Sequence, residues 1–227
     1  MLASAGTIAV VANALRNYGL KSSVVDPVMV STSGAQLLPE KAVKTLCEKL
    51  LPETFIVTPN IPEANLILHE GGQPPIEIND LDDMKQLAAA VHKLGPKYVL
   101  IKGGHLPLTS YHKVAKCAEE KKTIVNVLYG DDVEEVVELA YQESRNTHGT
   151  GCSLACEIER RTQNAHSHAD RRTAAIACRL AEGQSVAKAV RMACRYVEAG
   201  IKTSVNLGKG SGPLNHFHSV QILPFAP

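Results

Sequence analysis

The order of apolar and polar residues is the feature of this chain that most restricts its fold. Short runs rich in β-branched residues alternate with segments of helical periodicity. The predicted strands lie at 23–25, 54–57, 98–101, 123–129 and 133–140. The predicted helices lie at 8–15, 38–50, 61–68, 81–94 and 185–204. Such alternation is typical of β-α-β units, and it predicts an α/β fold with a mostly parallel central sheet and helices on both faces.

The turns that follow the predicted strands indicate where chemistry occurs, because parallel sheets bind ligands beyond the carboxyl ends of their strands. Asp26 follows the first strand, and Lys102, with two glycines after it, ends the third. Asn60 and Glu63 follow the second strand, three residues apart on one face of the next helix, where they are placed to hold Mg²⁺ through water. Each signal is weak alone, since a strand-end Asp is about as often a turn residue, and Asn60 is equally suited to cap the helix.

A glycine-rich turn at 146–152 carries the strongest chemical signal. It reads Asn-Thr-His-Gly-Thr-Gly-Cys, and helical residues follow it. Its two glycines let consecutive backbone N–H groups converge on one point, and a helix start adds the positive end of its dipole. A phosphate oxygen fits such a concavity, and the same field favours the thiolate form of Cys152. An isolated Gly-x-Gly more often only turns the chain, so the phosphate interpretation depends on the other turns.

Composition excludes several classes of protein. The 24 Lys and Arg against 23 Asp and Glu leave a formal net charge of +1, without the basic surplus of a nucleic-acid or anionic-membrane protein. No apolar run approaches the ~20 residues of a membrane span, and Met1 to Gly6 lack the basic residues that open a secretory signal. The six cysteines include no Cys-x-x-Cys pair, which favours reduced thiols and a cytoplasmic location. The 227 residues fit one large domain over 1–227.

Several segments together resemble the signature sequences of hydroxymethylpyrimidine/phosphomethylpyrimidine kinases, thiamine-pathway enzymes of the ribokinase-like superfamily. These segments are 25–29, 58–64, 102–105 and 146–152. Residues 209–216 are similar to the end of that kinase domain, so the resemblance spans nearly the whole chain. A cysteine after Gly149, Thr150 and Gly151 is the mark of this branch, because other ribokinase relatives carry aspartate there.

The resemblance implies a reaction and its site residues. The reaction is ATP-dependent phosphorylation of 4-amino-5-hydroxymethyl-2-methylpyrimidine and then of its monophosphate, and a homodimer is a further expectation. The resemblance assigns the anion hole to residues 149–152 and makes Cys152 the acceptor of the substrate hydroxyl proton. It assigns Mg²⁺ to Asn60 and Glu63, the ATP phosphates to Lys102, Asp26 and Gly210, and the pyrimidine to Met1 and Val28.

Two departures from the family pattern set further expectations. The family's N-terminal portion, with its first strand and a glycine-rich substrate turn, precedes the position where this sequence starts, so we expect a truncated domain that lacks the first strands. The polar, Arg-rich stretch 157–173 separates apolar segments 153–156 and 174–180, which would otherwise join into one helix. We interpret 157–173 as a disordered or looped-out insertion.

Two further interpretations of function stay open at this point. One is a catalytically weak or inactive fragment of the kinase, with a structural or interaction role. The other is a pyridoxal-kinase-like vitamin kinase, because pyridoxal kinases share the fold and the anion hole. Binding of ATP and Mg²⁺ without turnover would favour the first of these two.

Overall fold

The computed structural model describes residues 2–20, 22–29, 37–104, 106–144, 146, 150–155, 176–206 and 212–218. The chain divides into two compact units, Met1–Tyr141 and Gln142–Pro227, which are described separately below. The predicted insertion at 157–173 and the predicted site residues Met1, Gly149 and Gly210 lie outside the described residues. The expectation of one domain over 1–227 stays a prediction.

The described part of the first unit alternates helices with strands. Its helices are α1 (Ala5–Tyr18), α2 (Glu40–Thr45), α3 (Ile61–Glu70) and α4 (Leu81–His92). Its strands are β1 (Val24–Val25), β2 (Ile56–Val57), β3 (Tyr98–Lys102), β4 (Thr123–Gly130) and β5 (Val133–Ala140). A π-helical turn and a 3₁₀ turn extend α2 through Leu46–Leu50 and Leu51–Glu53, and a second 3₁₀ turn at Ala118–Glu120 precedes β4.

The strands form one five-stranded sheet in the order β1-β2-β3-β4-β5. β1, β2 and β3 are parallel, with Val25 paired to Val57 and Val57 paired to Val99. β4 is antiparallel to β3, and β5 is antiparallel to β4. The sheet is therefore mixed, and the predicted α/β class is confirmed.

Capping residues explain where the helices begin and end. Ser4 accepts a hydrogen bond from the Thr7 N–H at the start of α1, and Gly19 ends this helix with a φ of +56°. Asp80 caps α4 by accepting the N–H groups of Asp82 and Asp83. The start of α4 lies where the sequence predicts it, at Leu81, whereas α1 begins at Ala5, before the predicted Ile8.

Both faces of the central strands are buried. One face contributes to the core shared with α1 to α4 through Val57, Val99, Ile101, Val125 and Val127. On the opposite face, Ile56, Leu100 and Leu128 are also fully buried. Burial on both sides explains why these strands are nearly continuous runs of apolar residues rather than alternating ones.

The described part of the second unit contains α5 (Thr150–Ala155), α6 (Ile176–Ala181) and α7 (Val186–Lys202). Both shorter helices pack against α7, which begins at the N-cap Ser185. The chain then returns to α7, because the Asn215 N–H donates to Gly200 O and to Ser204 Oγ, each at 3.1 Å. Within the described ranges of both units, no helix is long and apolar enough to cross a membrane.

Candidate active site

An ion pair lies at the carboxyl ends of the three parallel strands. The Lys102 ammonium donates a hydrogen bond to Asp26 Oδ1 at 2.6 Å, and the Thr58 hydroxyl donates to the same oxygen at 3.2 Å. The side chains of Lys102 and Asp26 are only 16% and 12% exposed. Because water is largely excluded, the attraction between these charges is stronger than at an open surface.

The strand register brings these three residues together. The Thr58 N–H donates to Val25 O at 3.0 Å, and the Lys102 N–H donates to Pro59 O at 2.9 Å. Parallel pairing therefore continues past the end of β2, as far as a bridge between Asn60 and Lys102. The carboxyl ends of β1, β2 and β3 are held side by side, as the sequence predicts for neighbouring parallel strands.

Asn60 and Glu63 form a capping box at the start of α3. Asn60 Oδ1 accepts the Glu63 N–H at 2.8 Å, and Glu63 Oε2 accepts the Asn60 N–H at 2.9 Å. Glu63 Oε1 also accepts the N–H of Met29, at 3.4 Å, in the loop that follows β1. The capping interpretation of Asn60 is therefore confirmed, and Glu63 connects α3 to the loop that carries Asp26.

Glu63 is a buried carboxyl group, with 2% of its surface exposed. Burial raises the pKa of Glu63, and this is the largest effect on it. The Asn60 N–H and the Lys102 charge lower this pKa, whereas the Asp26 charge raises it. Glu63 therefore responds electrostatically to both members of the ion pair.

We expect Glu63→Gln to change how stability depends on pH. Because folding raises the pKa of Glu63, the contribution of this carboxyl is fully present below its ordinary value of 4.5 and is lost as pH rises through the raised value. Relative to the parent chain, Glu63→Gln should thus gain stability as pH rises above 4.5. Thermal denaturation across this range measures the difference, with exposed Glu40→Gln as the control. A difference that stays constant with pH would contradict the expectation.

The side-chain oxygen atoms near the ion pair are suited to an Mg²⁺ ion that is also bound by phosphates and water. Among the described residues, no group of three or more His, Cys, Asp or Glu could enclose a metal ion. Asn60 Oδ1 and both carboxylate oxygens of Glu63 already accept backbone N–H groups, so these residues would reach an ion through water. No hydrogen bond from the described residues reaches Asp26 Oδ2. Mg²⁺ commonly uses one or two carboxylates and keeps several waters, so the residues fit it.

Gly103 lies directly against strand β4. Its N–H donates to Asn126 Oδ1 at 3.2 Å, and Asn126 pairs with Lys102 across the two strands. A Cβ at Gly103 would overlap the carbonyl oxygen of Val125 and would lie 3.1 Å from Met84 Cε. The turn after Lys102 is thus fixed by close packing of the backbone. We did not predict Asn126, although a polar residue within an apolar strand was the available signal.

Gly103→Ala is expected to destabilise the first unit by about 2 kcal/mol, because a backbone carbonyl cannot move away as a side chain can. Gly104→Ala is the matched control, since a Cβ there meets no heavy atom within 4 Å. Urea denaturation of the two variants beside the parent chain measures the effect. Equal stability of both variants would show that the strand yields to the added methyl group.

The second unit contains the start of the predicted phosphate turn. Asn146 Nδ2 donates to Asn206 Oδ1 at 3.1 Å, and Gly212 packs so closely on the Asn146 side chain that a Cβ would overlap it. Asn146 therefore ties the beginning of the turn to the segments after α7. Gly151 and Cys152 lie in the first turn of α5, which begins at Thr150, earlier than the sequence predicts.

Comparison with known proteins decides the family. The family described as "Phosphomethylpyrimidine kinase" matches residues 1–215 of this chain. The chain belongs to the phosphomethylpyrimidine kinase family. It is 36% identical to the putative hydroxymethylpyrimidine/phosphomethylpyrimidine kinase 2 of Schizosaccharomyces pombe, over 100% of this chain but 38% of that protein. It is 32% identical to the hydroxymethylpyrimidine/phosphomethylpyrimidine kinase of Bacillus subtilis, over 96% of this chain and 67% of that protein.

Solved structures agree with the ribokinase-like expectation. The ADP complex of Bacillus subtilis pyridoxal kinase superposes with a TM-score of 0.72 at 29% identity, covering 96% of this chain and 69% of that one. The phosphomethylpyrimidine kinase of Clostridium difficile 630 has a TM-score of 0.60 at 31% identity, covering 87% of this chain and 64% of that one. The predicted ribokinase-like fold is confirmed.

Within this family fold, the structure brings together part of the predicted site. Asp26 and Lys102 are in contact, and Asn60 and Glu63 adjoin them at the start of α3. Val28 is half-buried in the loop after β1, where its N–H donates to Asp26 O at 2.9 Å. The roles of these residues, and those of residues 149–152, stay predictions.

Proposed function

We propose that this chain transfers a phosphoryl group from ATP to 4-amino-5-hydroxymethyl-2-methylpyrimidine and to its monophosphate, as a cytoplasmic enzyme of thiamine biosynthesis. The observation that carries the proposal is the Asp26–Lys102 pair at the carboxyl ends of parallel strands, in a chain of the phosphomethylpyrimidine kinase family. The chain spans only 38% of the S. pombe relative, so activity and substrate are proposed rather than inherited from it.

Phosphoryl transfer depends more on correctly placed charges than on covalent bonds between the protein and the substrate. Phosphoryl transfer is accelerated mainly by aligning the reactants and by stabilising charge on the transferred group. The Lys102 ammonium has three donors, so it can bind a phosphate oxygen while one donor stays on Asp26. Backbone N–H groups of residues 149–151 and the helix start stabilise the developing charge. Cys152 accepts the proton of the substrate hydroxyl.

Mg²⁺ belongs to the same proposal. Asp26 would hold it directly, and Asn60 and Glu63 would hold it through water, in keeping with the hydrogen bonds that they already make. When bound, the ion neutralises phosphate charge. The Lys102 side chain contributes further positive charge from its place beside Asp26.

Pyridoxal is the second candidate substrate. Its support is the TM-score of 0.72 to a pyridoxal kinase, against 0.60 to a phosphomethylpyrimidine kinase. The sequence identities point the other way, because the identity to the phosphomethylpyrimidine kinase is 31% and that to the pyridoxal kinase is 29%. A structural or interaction role without turnover is the third candidate.

One assay distinguishes these candidates. The purified chain is incubated with ATP and Mg²⁺ and with the pyrimidine alcohol, its monophosphate, pyridoxal or no acceptor, and products are identified by mass spectrometry. Phosphorylated pyrimidines confirm the proposal, and phosphorylated pyridoxal alone supports the second candidate. Calorimetric binding of ATP without any product supports the third. Absence of both binding and product would refute a kinase function.

The family resemblance also favours a homodimer. Sedimentation equilibrium of the purified chain measures its mass in solution. Twice the mass of one chain would support this assembly, and the mass of a single chain would exclude it.

A further inference from the structure

We infer that Thr58 is a positioning residue, whose hydroxyl orients the Asp26 carboxylate and thereby places the Lys102 ammonium for the ATP phosphates. The inference rests on the proposed function, because it concerns how the phosphate-binding cation is held. Thr58 is fully buried, and it follows β2 directly. It lies in a segment that the sequence marks as a motif, but neither its periodicity nor its spacing indicates a partner for its hydroxyl.

Two donors meet on one carboxylate oxygen. Lys102 Nζ lies 2.6 Å from Asp26 Oδ1, and Thr58 Oγ1 lies 3.2 Å from the same atom. The two oxygens of a carboxylate are chemically equivalent, so an ammonium alone can exchange between them by rotation of the carboxylate. The neutral hydroxyl from the neighbouring strand restricts this rotation, because both donors are satisfied only while the plane of the carboxylate keeps one oxygen within reach of both.

The orientation matters because lysine does not fix its own position. Its ammonium is a point charge on a flexible four-carbon stem, so its location follows that of its partner. With Oδ1 occupied by both donors, Oδ2 receives no hydrogen bond from any described residue. Thr58 therefore fixes the plane of the Asp26 carboxylate, so that one oxygen stays with both donors and the other stays available to further ligands.

The Thr58 hydroxyl contributes little to holding the backbone. The Thr58 N–H already donates to Val25 O at 3.0 Å, and this bond keeps β1 and β2 in register without the side chain. A buried hydroxyl needs a partner, and Asp26 is its described one. Replacement by valine, which has nearly the same shape, should therefore preserve the fold and remove only the orienting donor.

A second buried threonine provides a matched control. Thr54 is 3% exposed, and its hydroxyl donates to the backbone oxygen of Leu50 at 2.7 Å. It lies before β2, at the end of the strand opposite to Thr58. Thr54→Val thus removes a comparable buried hydroxyl that contacts neither Asp26 nor Lys102.

The test measures kcat, KM for ATP and for the acceptor, and the thermal midpoint of the parent chain and of three variants. Thr58→Val should lower kcat about tenfold, because displacement of a positioned charge weakens it most in the transition state. KM for the acceptor should stay close to that of the parent chain, and the thermal midpoint should fall by an amount similar to that in Thr54→Val. Thr58→Ser should restore kcat to within about threefold, since it keeps the donor. Thr54→Val should lower the midpoint without changing kcat.

Several outcomes would overturn the inference. They are unchanged kcat in Thr58→Val, failure of Thr58→Ser to restore activity, and loss of activity only in proportion to unfolded protein. If Thr58→Val does not fold, Thr58→Ala removes the same hydroxyl with a smaller side chain and is judged by the same measurements. If the parent chain turns over substrate and Thr58→Val has the same kcat, this inference is refuted and the proposed function is not. A parent chain without turnover refutes the proposed function and the inference with it.

Discussion

Replacing Cys152 by alanine is expected to slow phosphoryl transfer by about 10²–10⁴-fold, while ATP binding stays largely intact. The reason is that the proposed role of this thiol is to accept a proton from the substrate hydroxyl, a step that binding does not require. Cys152 lies in the first turn of α5. Single-turnover rates measure the chemical step, and calorimetry measures the affinity for ATP.

Other cysteines are the controls for this experiment. Cys117 is exposed, so Cys117→Ala should leave turnover unchanged. Cys47 is not a competing base, because burial raises the pKa of its thiol to about 12. Unchanged turnover in Cys152→Ala would remove Cys152 from the mechanism.

Lys102→Met is expected to have the second large effect, on both activity and stability. The Asp26 carboxylate is only 12% exposed, and in this variant it loses its ammonium partner. The loss should cost about 3 kcal/mol of folding free energy. Loss of the cation at the phosphates should lower kcat/KM for ATP by about 10²–10³-fold. Urea denaturation and steady-state kinetics measure the two effects separately.

A double variant separates stability from catalysis. Asp26→Asn combined with Lys102→Met removes both charges, so part of the lost stability should return while activity stays low. Lys44→Met is the control, since the Lys44 side chain is 64% exposed. If Lys102→Met folds and turns over ATP like the parent chain, the ion pair has no role in phosphate binding.

Local signals in the sequence predicted most of the architecture. The helix predicted at 8–15 lies within α1, and the strands predicted at 123–129 and 133–140 form as β4 and β5. The helix predicted from Leu38 to Leu50 also forms, although its second half is a π-helical turn. A π-helical turn differs from an α-helical turn by a single extra residue. This difference changes the spacing of apolar residues too little for the sequence to predict the π-helical turn.

The site was predicted as separate residues rather than as a network. Asp26 and Lys102 were each expected near phosphates, but their contact joins residues 76 positions apart. Glu63 was expected as a metal residue, and the structure adds its burial and its hydrogen bond to the Met29 N–H. The partner of Thr58 was not predicted, because no pattern along one strand shows what the next strand brings beside it.

The sequence by itself determined the types of elements, their capping residues and the turns that carry polar side chains. These depend on periodicity and on hydrogen bonds within a few residues, which are visible in one stretch of chain. Only the tertiary structure decided that Lys102 and Thr58 share one oxygen of Asp26 and that Gly103 packs on β4. Those contacts depend on which strands are neighbours and in what register, and register follows from the packing of the whole sheet.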